Sequence, residues 1–201
     1  MPVDEVWLEI GFGGGEHAQA QAEANPRAGL IASEVFENGL CSLLSRLVPD
    51  GADESAAPLP PNLRLWPHDA RDLLRALPEA SLDRVFLLFP DPWPKARHAK
   101  RRFVHPDNIA LLARVIRPGG EWRIASDHPV YQDWVAEVLA AQTAFRVAFV
   151  TDARPEGWPG TRYEAKAVRE GRRPRWWSLR AHRDRIVGQD ASQGLPGPSA
   201  G

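Results

Sequence analysis

Cysteine occurs once in 201 residues, at Cys41, so the chain holds no internal disulfide and no multi-cysteine metal site. That usage fits a reducing compartment, and the expected location is cytoplasmic. Long hydrophobic runs are missing too. No apolar stretch approaches the roughly 18–20 residues of a membrane span, so no membrane partner is expected. The opening MPVDEVWLEIG lacks a basic region followed by an apolar one and does not read as a signal peptide. The six histidines, His17, His68, His98, His105, His128 and His182, show no metal-ligand spacing, and no metal is expected. Net charge is almost absent, at −1, which argues against a uniformly basic polyanion binder.

The average hides a segregation. Five Lys or Arg fall within residues 95–102: Lys95, Arg97, Lys100, Arg101 and Arg102. Between Arg162 and Arg185 there are nine Lys or Arg against three acids. Two basic clusters in an otherwise neutral to acidic chain can hold a polyanion, or can be solvated charged faces.

Short apolar strands alternate with helical segments, which predicts an α/β fold with a mostly parallel sheet. Strands are expected at 6–10, 29–35, 63–67, 82–89, 121–127, 145–150 and 175–182. Helices are expected near 16–25, 37–48, 70–77, 105–120 (closed by a Pro-Gly-Gly turn) and from Pro129 onward. Trp176 and Trp177 are expected to face the core and solvent, one each. A single domain over 1–187 carries a surface loop at 49–62, where four prolines interrupt any periodicity. The Gly/Ser/Pro-rich tail 188–201 is expected to be disordered.

Each of the first five strands ends at or near a carboxylate: Glu9, Glu34, Asp69, Asp91 and Asp127. In an open α/β sheet, ligands bind outside the carboxyl ends of the strands. Clustered acids there are costly without cationic or hydroxyl-bearing partners. The first turn, LEIGFGGGEH, gives Glu9, Gly11, Gly13 and Gly15 at alternate positions. A dinucleotide fingerprint counted from Gly11 needs glycine where Glu16 stands; counted from Gly13 it ends at Ala18, a tolerated variant. S-adenosylmethionine suits the acids better, with an ammonium, a cationic sulfur and a ribose diol within reach of Glu34. A nicotinamide dinucleotide is the alternative.

The stretch LLFPDPWPKARHAKRRF then stops an apolar strand at Asp91 among three prolines and runs into the first basic block. Together with LEIGFGGGEH (8–17), SEVFENG (33–39) and TRYEAKAVREGRRPRWWSLR (161–180), it resembles the bacterial tRNA (guanine-N7-)-methyltransferases. The likeness covers about residues 6–182, and the Pro-Asp-Pro-Trp-Pro-Lys string is its most specific motif. The 49–62 loop departs from it by its length. The resemblance implies a class I S-adenosylmethionine-dependent methyltransferase (Rossmann-like) fold, with a mostly parallel seven-stranded sheet and helices on both faces. It implies S-adenosylmethionine as cofactor, S-adenosylhomocysteine as product and tRNA as partner, in a monomer or homodimer. The methyl acceptor would be N7 of the variable-loop guanine at position 46. Cofactor contacts would be Glu9, Gly11, Gly13, Glu34, Asp69 and Asp91, with Asp91 the catalytic residue. Lys95, Asp127, Thr161, Arg162, Tyr163 and Glu164 match substrate-binding positions, the last four forming a loop over the base. Arg97, His98, Lys100, Arg101 and Arg102 resemble an RNA-contacting segment. Trp93 would either stack on the target base or plug the turn against the core. The alternatives are another S-adenosylmethionine-dependent methyltransferase and a non-catalytic RNA-binding module.

Overall fold

The computed structural model describes residues 2–48 and 60–182. Most of the 49–62 loop, the 188–201 tail, and Arg183 and Arg185 of the second basic cluster lie outside the described residues.

Among the described residues, seven strands form one sheet in the order β3-β2-β1-β4-β5-β7-β6. These are β1 Glu5–Ile10, β2 Ala28–Ser33, β3 Leu63–Trp66, β4 Leu82–Leu88, β5 Ile116–Ser126, β6 Phe145–Thr151 and β7 Arg175–Ala181. The first five pair in parallel, while β7 runs antiparallel between β5 and β6. Chain order reverses at the β1–β4 junction, which opens a crevice at the carboxyl ends of those two strands.

The near-continuous apolar run of β4 follows from its central place. Val85 and Leu87 join one buried cluster with Leu8 and Ile10. Phe86 and Leu88 join a second with Trp7 and Leu30. The alternation puts the two clusters on opposite faces of the sheet. Trp176 and Trp177 divide the same way, and both are buried. The expected outward-facing tryptophan is absent because β7 is an interior strand covered on both sides.

Helices α1 Glu16–Ala24, α2 Glu37–Leu47, α3 Ala70–Ala76, α4 Pro106–Val115, α5 Pro129–Ala140 and α6 Arg162–Arg169 connect the strands. Pro129 takes the first helical position of α5, where its missing N–H costs nothing. The helix expected over 105–120 ends instead at Val115, and the Pro-Gly-Gly segment is an irregular stretch at the start of β5. Ile116 is the reason. It is buried against the core and pairs with Leu82 of β4, so the chain enters the sheet before the turn and not after it.

Candidate active site

A cavity of about 610 Å³ opens where β1 and β4 end. Ile10 and Leu87 form its floor, and Gly11, Gly13, Glu34, Asp69 and Asp91 line it. Three acids and two glycines expected from separate motifs thus meet in one place. The turn after β1 runs through Gly11 (φ +71°) and Gly13 (φ +59°), a backbone region that a residue with a Cβ adopts at a cost. Gly13 is also close-packed: a Cβ there would lie 2.6 Å from the ring of Tyr163.

Glu34 follows β2 directly and is fixed by backbone donors. Its Oε2 accepts from Gly13 N at 2.8 Å, and its Oε1 accepts from Val35 N at 2.8 Å and Phe36 N at 3.0 Å. Two N–H groups fill Oε1, so Oε2 keeps the spare acceptor capacity. Asp69 caps α3, accepting from Arg71 N at 2.8 Å and from the Arg71 guanidinium at 2.9 Å. Glu9 does not line the cavity. It is buried beneath the glycine-rich turn, 2.9 Å from His17 Nδ1.

Asp91 stands on a strained turn. Phe89 (φ +54°) and Trp93 (φ +43°) both adopt the left-handed conformation, and each precedes a proline. Such a conformation costs a bulky residue about 1–3 kcal/mol and persists only where the surroundings impose it. Here Phe89 N donates to Ala125 O at 2.8 Å. Arg102 then locks the far side, donating to Pro92 O at 3.1 Å and to Trp93 O at 3.0 Å. Among the described residues the Asp91 carboxylate has no hydrogen-bond or ion-pair partner.

This corrects one expectation. Arg102 is 4% exposed, stacked on Trp134 and spent on backbone carbonyls, so it belongs to the scaffold of the turn and not to an outer face. Arg97, Lys100 and Arg101 are exposed on a 3₁₀ turn over Ala96–Arg101, and Lys100 and Arg101 reach the cavity wall. His98 is half-buried with its ring edge-on to Trp93. Trp93 lines the cavity with the Arg101 guanidinium 4.8 Å above its ring, so it is neither a core plug nor a bare stacking platform. Lys95 is exposed before the 3₁₀ turn, off the cavity wall.

Residues 161–164 are not a loop. Thr161 caps α6, its Oγ1 accepting from Glu164 N at 3.0 Å, and Arg162, Tyr163 and Glu164 form the first turn. Ala167 alone of that helix is buried, and the segment is mostly polar. Tyr163 lines the cavity, the Arg162 guanidinium packs over Gly14, and Glu164 sits 3.4 Å from Arg154. Asp127 follows β5 but lies outside the cavity lining, paired with Arg172 at 2.6 Å.

A family model described as "Putative methyltransferase" matches residues 4–175. A tRNA (guanine-N(7)-)-methyltransferase of Granulibacter bethesdensis is 70% identical over 175 residues, covering 87% of this chain and 77% of that one. The chain belongs to the tRNA (guanine-N(7)-)-methyltransferase family. A second member, from Paramagnetospirillum magneticum, is 52% identical over 86% of this chain and 70% of its own. Solved structures agree on the fold. The 16S rRNA methyltransferase KamB superposes with a TM-score of 0.62 at 19% identity, covering 90% of this chain and 89% of its own. A 16S rRNA (adenine(1408)-N(1))-methyltransferase crystallised with its cosubstrate SAM superposes with a TM-score of 0.57 at 17% identity, covering 92% and 89%.

As a member of this methyltransferase family, the chain has a cavity suited to S-adenosylmethionine. The pinned Glu34 and Asp69 and the unpartnered Asp91 offer acceptors to hydroxyl and cationic groups, and the volume lies within the range of small-molecule sites. Sequence reasoning missed Val35 and Phe36, which line the cavity while 54% and 65% exposed. Their signal was position: two apolar residues directly after a strand-end acid.

Proposed function

We propose that this chain transfers the methyl group of S-adenosylmethionine to N7 of a variable-loop guanine in tRNA, in the cytoplasm. One observation carries the reading. A pinned carboxylate, Glu34, and an unpartnered one, Asp91, share a cavity whose wall also carries the exposed cations Lys100 and Arg101. A small-molecule methyltransferase has no need of such cations, and an inert RNA-binding module has no need of the acids.

The residues divide the work. Glu34 Oε2 accepts from a ribose hydroxyl, and Val35 and Phe36 wall the adenine. Gly11 and Gly13 admit the methionine end close to the backbone, and Asp69 accepts from the nucleoside. S-adenosylmethionine supplies a methyl group on a cationic sulfur, already activated for attack. Guanine N7 has a lone pair and no proton, so the protein supplies orientation and needs no general base. Guanine gains positive charge as the bond forms, and the Asp91 carboxylate favours that change. Glu164 accepts from the N1 and N2 edge of the base. Thr161, Arg162, Tyr163 and Asp127 border the acceptor, and Lys95, Arg97, Lys100 and Arg101 hold the flanking phosphates.

The test is Asp91→Asn, which keeps the shape and removes the charge. Turnover should fall by about 100-fold or more, while the dissociation constant for the cofactor changes only a few-fold. Near-normal turnover would sink the assignment of Asp91.

A further inference from the structure

Helix α1 buries His17, Ala18, Gln21 and Ala22, so two polar side chains lie where a sheet-covering helix ordinarily places large apolar ones. His17 is 3% exposed and Gln21 5%. Neither is orphaned. Asn25 Nδ2 donates to the Gln21 carbonyl oxygen at 2.9 Å and to Gln21 Oε1 at 3.1 Å. Gln21 Nε2 lies 3.2 Å from His17 Nε2, and His17 Nδ1 lies 2.9 Å from Glu9 Oε2. Positions 17, 21 and 25 are four apart and stack on one helix face.

The direction of this array is set from one end. A backbone carbonyl only accepts, so it fixes the Asn25 amide nitrogen toward Gln21. That nitrogen fixes Gln21 Oε1 as an acceptor and turns Nε2, a donor, toward His17. His17 Nε2 is then bare, and its one proton sits on Nδ1, aimed at Glu9. An imidazolium would set N–H against NH₂, donor on donor. The edge of the ring rests on Phe86, 4.9 Å between centroids, which holds its plane.

We infer that His17 is a positioning residue that satisfies Glu9 without cancelling its charge, so that a full negative charge stays beneath the glycine-rich turn and favours the cationic methyl donor over its neutral product. The inference rests on reading the cavity as the S-adenosylmethionine site. Glu9 adjoins Ile10 and Gly11 of the cavity lining, and buried charge acts at short range with little screening. The consequence is preference: S-adenosylmethionine carries a sulfonium, and S-adenosylhomocysteine does not.

Two measurements test it. Nitrogen-15 histidine spectra of the wild-type protein at neutral pH should show His17 neutral with its proton on Nδ1; an imidazolium or an Nε2 proton overturns the inference. Calorimetry then compares the two cofactor forms. His17→Gln keeps a neutral donor and should hold the ratio of their dissociation constants within about two-fold. His17→Lys places an ammonium against the Glu9 carboxylate and should lower the preference for S-adenosylmethionine about tenfold, with circular dichroism confirming the fold. Equal ratios in the two variants overturn the inference. Glu9→Gln separates the underlying reading: an unchanged ratio there means that the charge beneath the turn does not act on the cofactor.

Discussion

At the residue scale, the turn around Asp91 shows how one cluster of like residues splits by burial. Lys100 and Arg101 face the cavity and solvent, while Arg102, next in sequence, is buried and donates to Pro92 O and Trp93 O. Its hydrogen bonds hold the left-handed Trp93 on one side of the carboxylate, while the Phe89 N–H to Ala125 O holds the left-handed Phe89 on the other. Arg102→Ala would leave those carbonyls unsatisfied and the strain unopposed, a loss of about 2–3 kcal/mol. For a domain of this size the melting temperature should fall by roughly 5–10 °C, and turnover should fall with it. Arg101→Ala should leave the melting temperature within about 2 °C, weaken tRNA binding, and make its salt slope shallower by about one. Equal thermal effects from the two variants would contradict the division. The run Lys100-Arg101-Arg102 carries no sign of this difference, because side-chain direction at the end of a 3₁₀ turn depends on what packs there, here Trp134.

At the element scale, the strands were legible except for the early start of β5, and helix α6 was not legible. β4 announced itself by an uninterrupted apolar run, and Pro129 marked the start of α5. Helix α6 buries only Ala167 and is mostly polar, so it lacked the large apolar residues that mark a packed helix. Its cap was the available signal: Thr161 followed three residues on by Glu164 is a capping-box pattern. The helix places Tyr163 over Gly13 and Arg162 over Gly14, joining the acceptor-facing segment to the cofactor turn. Thr161→Ala removes the cap and should loosen the first turn by about 1 kcal/mol. KM for tRNA should rise several-fold, with the cofactor affinity of the free enzyme little changed. An unaltered KM would mean that this turn does not face the acceptor.

At the scale of the whole molecule, the site follows from sheet order. Reversal of strand order between β1 and β4 opens the crevice, and Glu34, Asp69 and Asp91 arrive there because each follows a parallel strand. That much the strand-end acids foretold. Asp127 obeys the same rule yet lies outside the cavity, where Arg172 engages its carboxylate. Glu9 was legible as an acid at the turn but not as a buried one, because its burial depends on α1 covering it with His17.

The proposed reaction is a methyl transfer to guanine N7 in tRNA. Its most direct test uses tritium-methyl-labelled S-adenosylmethionine and two unmodified tRNA transcripts, one with guanine and one with adenine at the variable-loop position. Borohydride reduction and aniline cleavage then locate any N7-methylguanine. Label should appear on the guanine transcript alone, with a single cut at that position. Label on both transcripts, or on neither while the cofactor binds, would contradict it.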